Sequence, residues 1–274
     1  MAKYKYPTLQ EIRATHAWKR EYERYLPLSR YLFRPLGFLL TWLAIRLGLA
    51  SETVSWISGF VALIGCLCLM SSQEQLLLIG ISLLIFFNLL DCVDGSMART
   101  MKTENPYGSF LDSVMAWVDI GLWALIGFMT YRHPQLLYWH NPFDKGEIVW
   151  LITGGITCYF YNLVGYVEGT FDRLLRKDIN NLFDKTKSGI SKDGVAENRN
   201  DSLSFIRNII RRINHNLRVR ETYLFLLVLA FIGRAVDLLL IFFLSYYVLH
   251  TILLVIIYCN RGRQLRKSHL QEPL

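Results

Sequence analysis

The chain has 274 residues, 53% of them hydrophobic and 19% charged, with a formal net charge of +8. Its mean hydropathy is +0.27, and long apolar runs at 54–70, 76–90, 113–131, 148–167 and 236–258 exclude an ordinary soluble domain, whose apolar stretches are broken by polar faces. The basic excess reads as a surface turned to anionic lipid headgroups, with no nucleic-acid partner implied.

In chain order, residues 1–27 are polar and basic, without the early apolar region of a secretory leader. "LSRYLFRPLGFLLTWLAIRLG", 28–48, has an apolar centre of ten residues flanked by Arg30, Arg34 and Arg46. That is short for a span and predicts an amphipathic helix on the membrane interface. Gly48 can end this helix and Ser51 can cap the next. Six spanning helices are predicted, at 52–71, 75–98, 108–131, 147–170, 219–234 and 236–259. The fifth is the shortest, since "TYLFLLVLAFIG" holds only twelve apolar residues before Arg234 and Asp237.

The expected architecture is therefore an all-α membrane protein with six transmembrane helices behind an N-terminal interfacial helix. Residues 1–50 form a cytoplasmic N-terminus with that helix. Residues 51–259 form the transmembrane catalytic unit, with a basic cytoplasmic insertion at 171–218, and 260–274 a basic cytoplasmic tail. With both termini cytoplasmic, 27 of the 30 Lys and Arg fall on the cytoplasmic side; Arg132, Lys145 and Arg234 are the exceptions. Within the insertion, "SLSFIRNIIRRINHNLRV" places Phe205, Ile206, Ile209, Ile210 and Ile213 at helical spacing against arginines. It reads as a second membrane-surface helix. Cys66, Cys68, Cys92, Cys158 and Cys259 lie in or beside apolar helices, without a CxxC pair, and read as packing residues rather than disulfides or a zinc site.

The chemistry concentrates in "NLLDCVDGSMARTMKTENPYGSFLDSVMAWVD", 88–119. Carboxylates at membrane depth are costly, so they line cavities, pair with cations or hold metal. Asp91 and Asp94 share a helix face at the cytoplasmic end of the second span. Asp112 enters the third span from the same side. Such hard oxygen ligands suit Mg²⁺ or Mn²⁺ beside a phosphate. Gly95 and Ala98 leave room on the same face, Gly108 does so on the facing helix, and the planar fork of Arg99 can grip a phosphate.

The spacing Asp91-x2-Asp94-Gly95-x2-Ala98-Arg99-x8-Gly108-x3-Asp112 resembles the signature of the CDP-alcohol phosphotransferase (CDP-alcohol phosphatidyltransferase) family. The resemblance covers seven positions over 22 residues, and the helix plan over 28–259 agrees with it. It implies an integral membrane enzyme of phospholipid or related lipid biosynthesis. Such an enzyme passes a phospho-alcohol group from a CDP-linked donor, such as CDP-diacylglycerol, to an acceptor hydroxyl and releases CMP. It implies two divalent metal ions held by Asp91, Asp94 and Asp112. Gly95, Ala98, Arg99 and Gly108 would meet the CDP moiety. A homodimer among membrane lipids, with a cytoplasm-facing site, is also implied.

The family pattern ends in a further Asp four residues after Asp112, a metal ligand and general base; here that position is Ala116. A methyl group can do neither job. Three readings stay open: a deliberate inactivating substitution, a natural enzyme using Asp119, Glu168 or Asp172 instead, and a natural non-catalytic relative that binds a CDP-lipid. A transporter is a further alternative, although its acids would extend beyond one membrane face. The acceptor alcohol is open. Arg173, Arg176, Arg218 and Arg220 are placed to meet an acceptor phosphate, and charge asymmetry accounts for them equally.

Overall fold

A computed structural model describes residues 6–17, 22–139, 147–178 and 201–271, and among these it contains helices and no strand. Short α1 (Leu9–Thr15) precedes α2 (Arg34–Arg46), which is entered through a π-helical turn at Ser29–Phe33. There follow α3 (Ser51–Leu69), α4 (Glu74–Met101), α5 (Pro106–Met115), α6 (Val118–Arg132) and α7 (Glu147–Leu174). After them come α8 (Asp201–Leu217), α9 (Arg220–Ile232) and α10 (Val236–Gln271).

Among the described residues, five stretches are long and apolar enough to cross a membrane: α3, α4, α5 with α6, Ile148–Leu174 of α7, and Val236–Arg266 of α10. The predicted fifth span is helical as α9, but its 13 residues rise only about 20 Å, against a hydrocarbon core of about 30 Å. Helix α10 overruns its predicted end: the expected tail is helical as far as Gln271, with Leu265 buried beside Phe171 of α7. Much of the predicted insertion, including 179–200, lies outside the described residues.

The helix expected over 108–131 is broken. Helix α5 ends at Met115, Ala116 closes it, and α6 begins at Val118. The turn tightens to i→i+3 bonds, with Trp117 N donating to Val114 O and Ile120 N to Trp117 O. The carbonyl of Ile120 accepts from Asn162 Nδ2 of α7 at 2.9 Å. An interhelical hydrogen bond thus holds the segment just after the break.

Helix α2 packs on α4. With the turn before it, it buries Phe33, Gly37, Thr41, Ala44 and Ile45, while Leu32, Leu36, Leu39 and Leu43 form an exposed apolar stripe on another face. A stripe with that spacing suits lipid contact. Helix α8 likewise exposes Ile209, Ile210 and Ile213. It is tethered by Asn216 Nδ2 to the Tyr25 carbonyl at 2.6 Å and by the Tyr246 hydroxyl to Asn214 Oδ1 at 2.6 Å.

The core is built by close helix crossings. On α3 and α4, a Cβ at Gly80 would stand 2.8 Å from the Gly65 carbonyl oxygen. On α6 and α7, a Cβ at Gly127 would lie 2.6 Å from Gly154 Cα, and one at Gly154 would lie 2.5 Å from Gly127 Cα. The obstructing atoms are backbone, so the helices themselves must separate. Small residues at such crossings let helices approach through van der Waals contact alone. Gly154→Leu is therefore expected to destabilise the protein by about 1–3 kcal/mol or more through overpacking. A lowered thermal midpoint in detergent checks this, with Gly155→Leu as the control because nothing lies within 4 Å of its added Cβ.

Candidate functional site

Two cavities meet at the cytoplasmic end predicted for α4 and α5. The larger, about 410 Å³, is lined by Asp91, Asp94 and Asp112 and by Arg34, Arg99, Arg218 and Arg220, among others. The smaller, about 130 Å³, lies against Gly95, Ala98 and Gly108. Asp94, Gly95, Arg99 and Asp112 line both. Every metal or nucleotide residue expected from the sequence thus lines at least one cavity, and four of the seven form the seam between them.

Local structure explains this placement. Asp91, Asp94, Gly95, Ala98 and Arg99 occupy the last three turns of α4, which stops when Lys102 adopts a left-handed conformation, φ 56°. Thr103 N closes the end by donating to the Ala98 carbonyl at 2.9 Å. Asn105 then caps α5, its Oδ1 accepting from Gly108 N at 2.7 Å. This short return brings Asp112, nearly two turns into α5, to the cavities that Asp94 also lines.

The carboxylates have different surroundings. Asp94 is buried; its Oδ2 accepts from Ser55 Oγ of α3 at 2.6 Å, and its Oδ1 accepts from Gly95 N. Asp91 Oδ2 pairs with Arg220 Nη1 at 3.1 Å, bridging α4 to the start of α9. The Arg220 guanidinium also lies over the Phe87 ring, 4.8 Å from its centroid. Asp112 is exposed.

Electrostatics differ between the cavities. The larger is balanced, with four arginines against Asp91, Asp94, Asp112 and Glu221. Two of those arginines are paired with acids beyond its wall, Arg34 with Glu23 at 2.6 Å and Arg218 with Glu168. The smaller cavity carries Glu52, Asp94, Glu104 and Asp112 against Arg99 alone. An anion entering it meets net negative charge unless a cation comes with it.

The oxygen-rich lining suits a hard divalent ion in donor type. The ligands are not gathered for one, however: among the described residues no three His, Cys, Asp or Glu converge closely enough to hold a metal. The observed partners account for the spread, since Asp94 is drawn to Ser55 and Asp91 to Arg220.

The glycines also separate in role. A Cβ at Gly95 would come within 3.2 Å of Arg99 Nη2, so Gly95 leaves the guanidinium its place. A Cβ at Gly108 would make only ordinary contact with Asn105, so nothing in the chain itself fills the space there. That fits a position kept open for a ligand.

Ala116 is half-buried and lines neither cavity. Of the alternative acids, Glu168 is paired with Arg218 and Asp172 with Arg176, and neither lines either cavity. The Asp119 side chain lies outside the described residues. Arg218 and Arg220 reach the larger cavity, whereas Arg173 and Arg176 do not. Sequence reasoning missed Arg34, Ser55, Glu52 and Glu221, which line the cavities from other helices, and Asn88, one turn before Asp91 on α4. Arg34 carried the one available signal, a cation flanking a predicted interfacial helix.

Residues 48–161 match the sequence model of the CDP-alcohol phosphatidyltransferase family. A search of curated proteins finds no match to the chain. The matched stretch runs from Gly48, within the α2–α3 turn, to the middle of α7 and contains all seven motif positions. Family members are transferases acting on CDP-alcohols. The cavity seam and the motif therefore agree with that match: residues 48–161 are similar to a CDP-alcohol phosphatidyltransferase domain, and the apolar helices among the described residues fit an integral membrane protein.

Proposed function

We propose that the chain binds a CDP-linked donor across the seam of the two cavities and is built to pass its phospho-alcohol group to an acceptor hydroxyl, with release of CMP. The observation that carries this reading is the convergence of Asp94, Gly95, Arg99 and Asp112 on both cavities. In that reaction the acceptor oxygen forms a bond to the donor's alcohol-bearing phosphorus. The bond from that phosphorus to the CMP oxygen breaks, and the acceptor proton needs a base. Ala98 and Gly108 leave space for the nucleotide in the smaller cavity, and Gly95 leaves room for the Arg99 guanidinium beside it. Arg99 supplies guanidinium donors to the diphosphate where the cavities join.

Asp91, Asp94 and Asp112 would hold Mg²⁺ or Mn²⁺, which when bound neutralises diphosphate charge. The acidic lining of the smaller cavity supports that requirement. CDP binding to the detergent-solubilised chain is expected to weaken more than tenfold when Mg²⁺ is replaced by a chelator, on the order of one or two charge contacts. Equal affinity in both conditions would remove the metal assignment.

The same reading takes α9 as a sixth, shielded span and α2 as lying on the cytoplasmic interface. The charge asymmetry and the exposed leucine stripe of α2 support it. Ala116 favours a second reading, in which the chain as it stands holds the donor but turns it over slowly or not at all. CMP release separates the two.

A further inference from the structure

A residue far from the motif grips its arginine. We infer that His16, at the end of α1, is a positioning residue that orients Arg99 toward the seam of the two cavities. This rests on the CDP-binding reading above and extends the site into an N-terminal segment outside residues 48–161.

Arg99 Nε and Nη2 lie 3.1 and 3.0 Å from His16 Nε2. A guanidinium can only donate, so Nε2 accepts and the ring is neutral with its proton on Nδ1. Nδ1 stands 3.2 Å from the Ile12 carbonyl oxygen, a suitable acceptor for that proton. The assignment is inferred from these partners. The ring itself is fixed, being buried and tilted against Phe38 at 5.2 Å between centroids.

Helix α1 is anchored well enough to act as a clamp. Thr8 and Glu11 form a capping box, with Thr8 N donating to Glu11 Oε2 at 2.6 Å and Glu11 N to Thr8 Oγ1 at 3.3 Å. Ile12 is fully buried in a cluster with Ala44 and Ile45 of α2 and Val93 and Met97 of α4. Thr15 Oγ1 lies 3.4 Å from Thr100 Oγ1, one residue past Arg99.

The consequence concerns orientation. Arginine has a long side chain with roughly 2 kcal/mol of rotamer entropy. Holding its Nε–Nη2 edge fixes the plane of the guanidinium before ligand arrives, so less ordering remains for binding. Nη1 is left on the side away from the gripped edge, and Arg99 lines both cavities.

The test measures CDP binding in Mg²⁺ for the full chain and three variants. His16→Leu is expected to weaken binding about tenfold, as for loss of one charge-assisted hydrogen bond. His16→Gln, which keeps an acceptor near the Nε2 position, is expected to stay within about threefold of wild type. His16→Leu in an Arg99→Leu background should cost little more, because the histidine acts through the arginine. Unchanged affinity in His16→Leu overturns the proposal. So does equal loss in the Leu and Gln variants, which marks a purely structural role.

If wild type itself fails to bind CDP in Mg²⁺, the reading of the site falls, and the contact is scored by ¹⁵N chemical shifts of labelled histidines. Wild type should show His16 as the Nδ1-protonated tautomer, with an Nε2 shift that moves in Arg99→Leu. An Nε2 shift indifferent to Arg99 overturns the grip independently of any nucleotide.

Discussion

Ala116→Asp is expected to raise CMP release by about 10²–10⁴, the usual contribution of a positioned general base. Although α5 ends here, Ala116 N still donates to the Asp112 carbonyl at 3.1 Å, so the two residues remain one helical turn apart. The alanine methyl stops short of both cavities. A carboxylate carries oxygens two bonds further, beside Asp112, where one can take the acceptor proton.

The helix break softens the cost of adding charge. Position 116 caps the C-terminus of α5, which disfavours an anion, but stands just before Trp117, the N-cap of α6, whose N-terminus favours one. CDP affinity should change by less than about fivefold, because the residues lining the seam are untouched. Rapid turnover by the chain as it stands, slowed by Ala116→Asp, would show that position 116 is not the base site.

Asp112→Asn is expected to cost more than about 100-fold in Mg²⁺-dependent CDP binding, beyond the 10–100-fold typical of residues that only support a metal ligand. Asp112 is exposed and lines both cavities, so its amide should fold normally. Asp91→Asn should lose comparable affinity but also stability, because it leaves Arg220 without its ion pair at a mostly buried position. Asp94→Asn disturbs the bonds to Ser55 and Gly95 as well. Binding isotherms with and without Mg²⁺, beside thermal midpoints, separate the two effects. Affinity unchanged in Asp112→Asn, with a normal midpoint, would exclude it as a ligand.

What was legible in the sequence was what is local. Helices α3, α4, α7 and α10 follow from apolar runs, and α2 and α8 from amphipathic spacing. The motif's spacing was enough to put Asp91, Asp94, Gly95 and Ala98 along the side of α4 that lines the two cavities, because α4 is a regular helix. The break at Ala116–Trp117 was not legible, since apolar residues run through it and the Asn162 bond that follows comes from another helix. Helix α9 was recognisable, yet its 13 residues leave its depth to its neighbours.

Long-range pairing stayed hidden as well. Arg220 reaches Asp91 across 129 residues, and His16 reaches Arg99 across 83, in a stretch whose polar composition gave no sign of a buried role. The sequence also offered Glu168 as a substitute base, without showing that Arg218 already holds it.

The most direct test of the account is photocrosslinking of the full chain with a photoreactive CDP analogue, with the labelled peptide mapped by mass spectrometry. The account predicts label between Asp91 and Asp112, dependent on Mg²⁺ and displaced by unlabelled CDP. Label confined to other helices, or label on this segment that CDP does not displace, would contradict it.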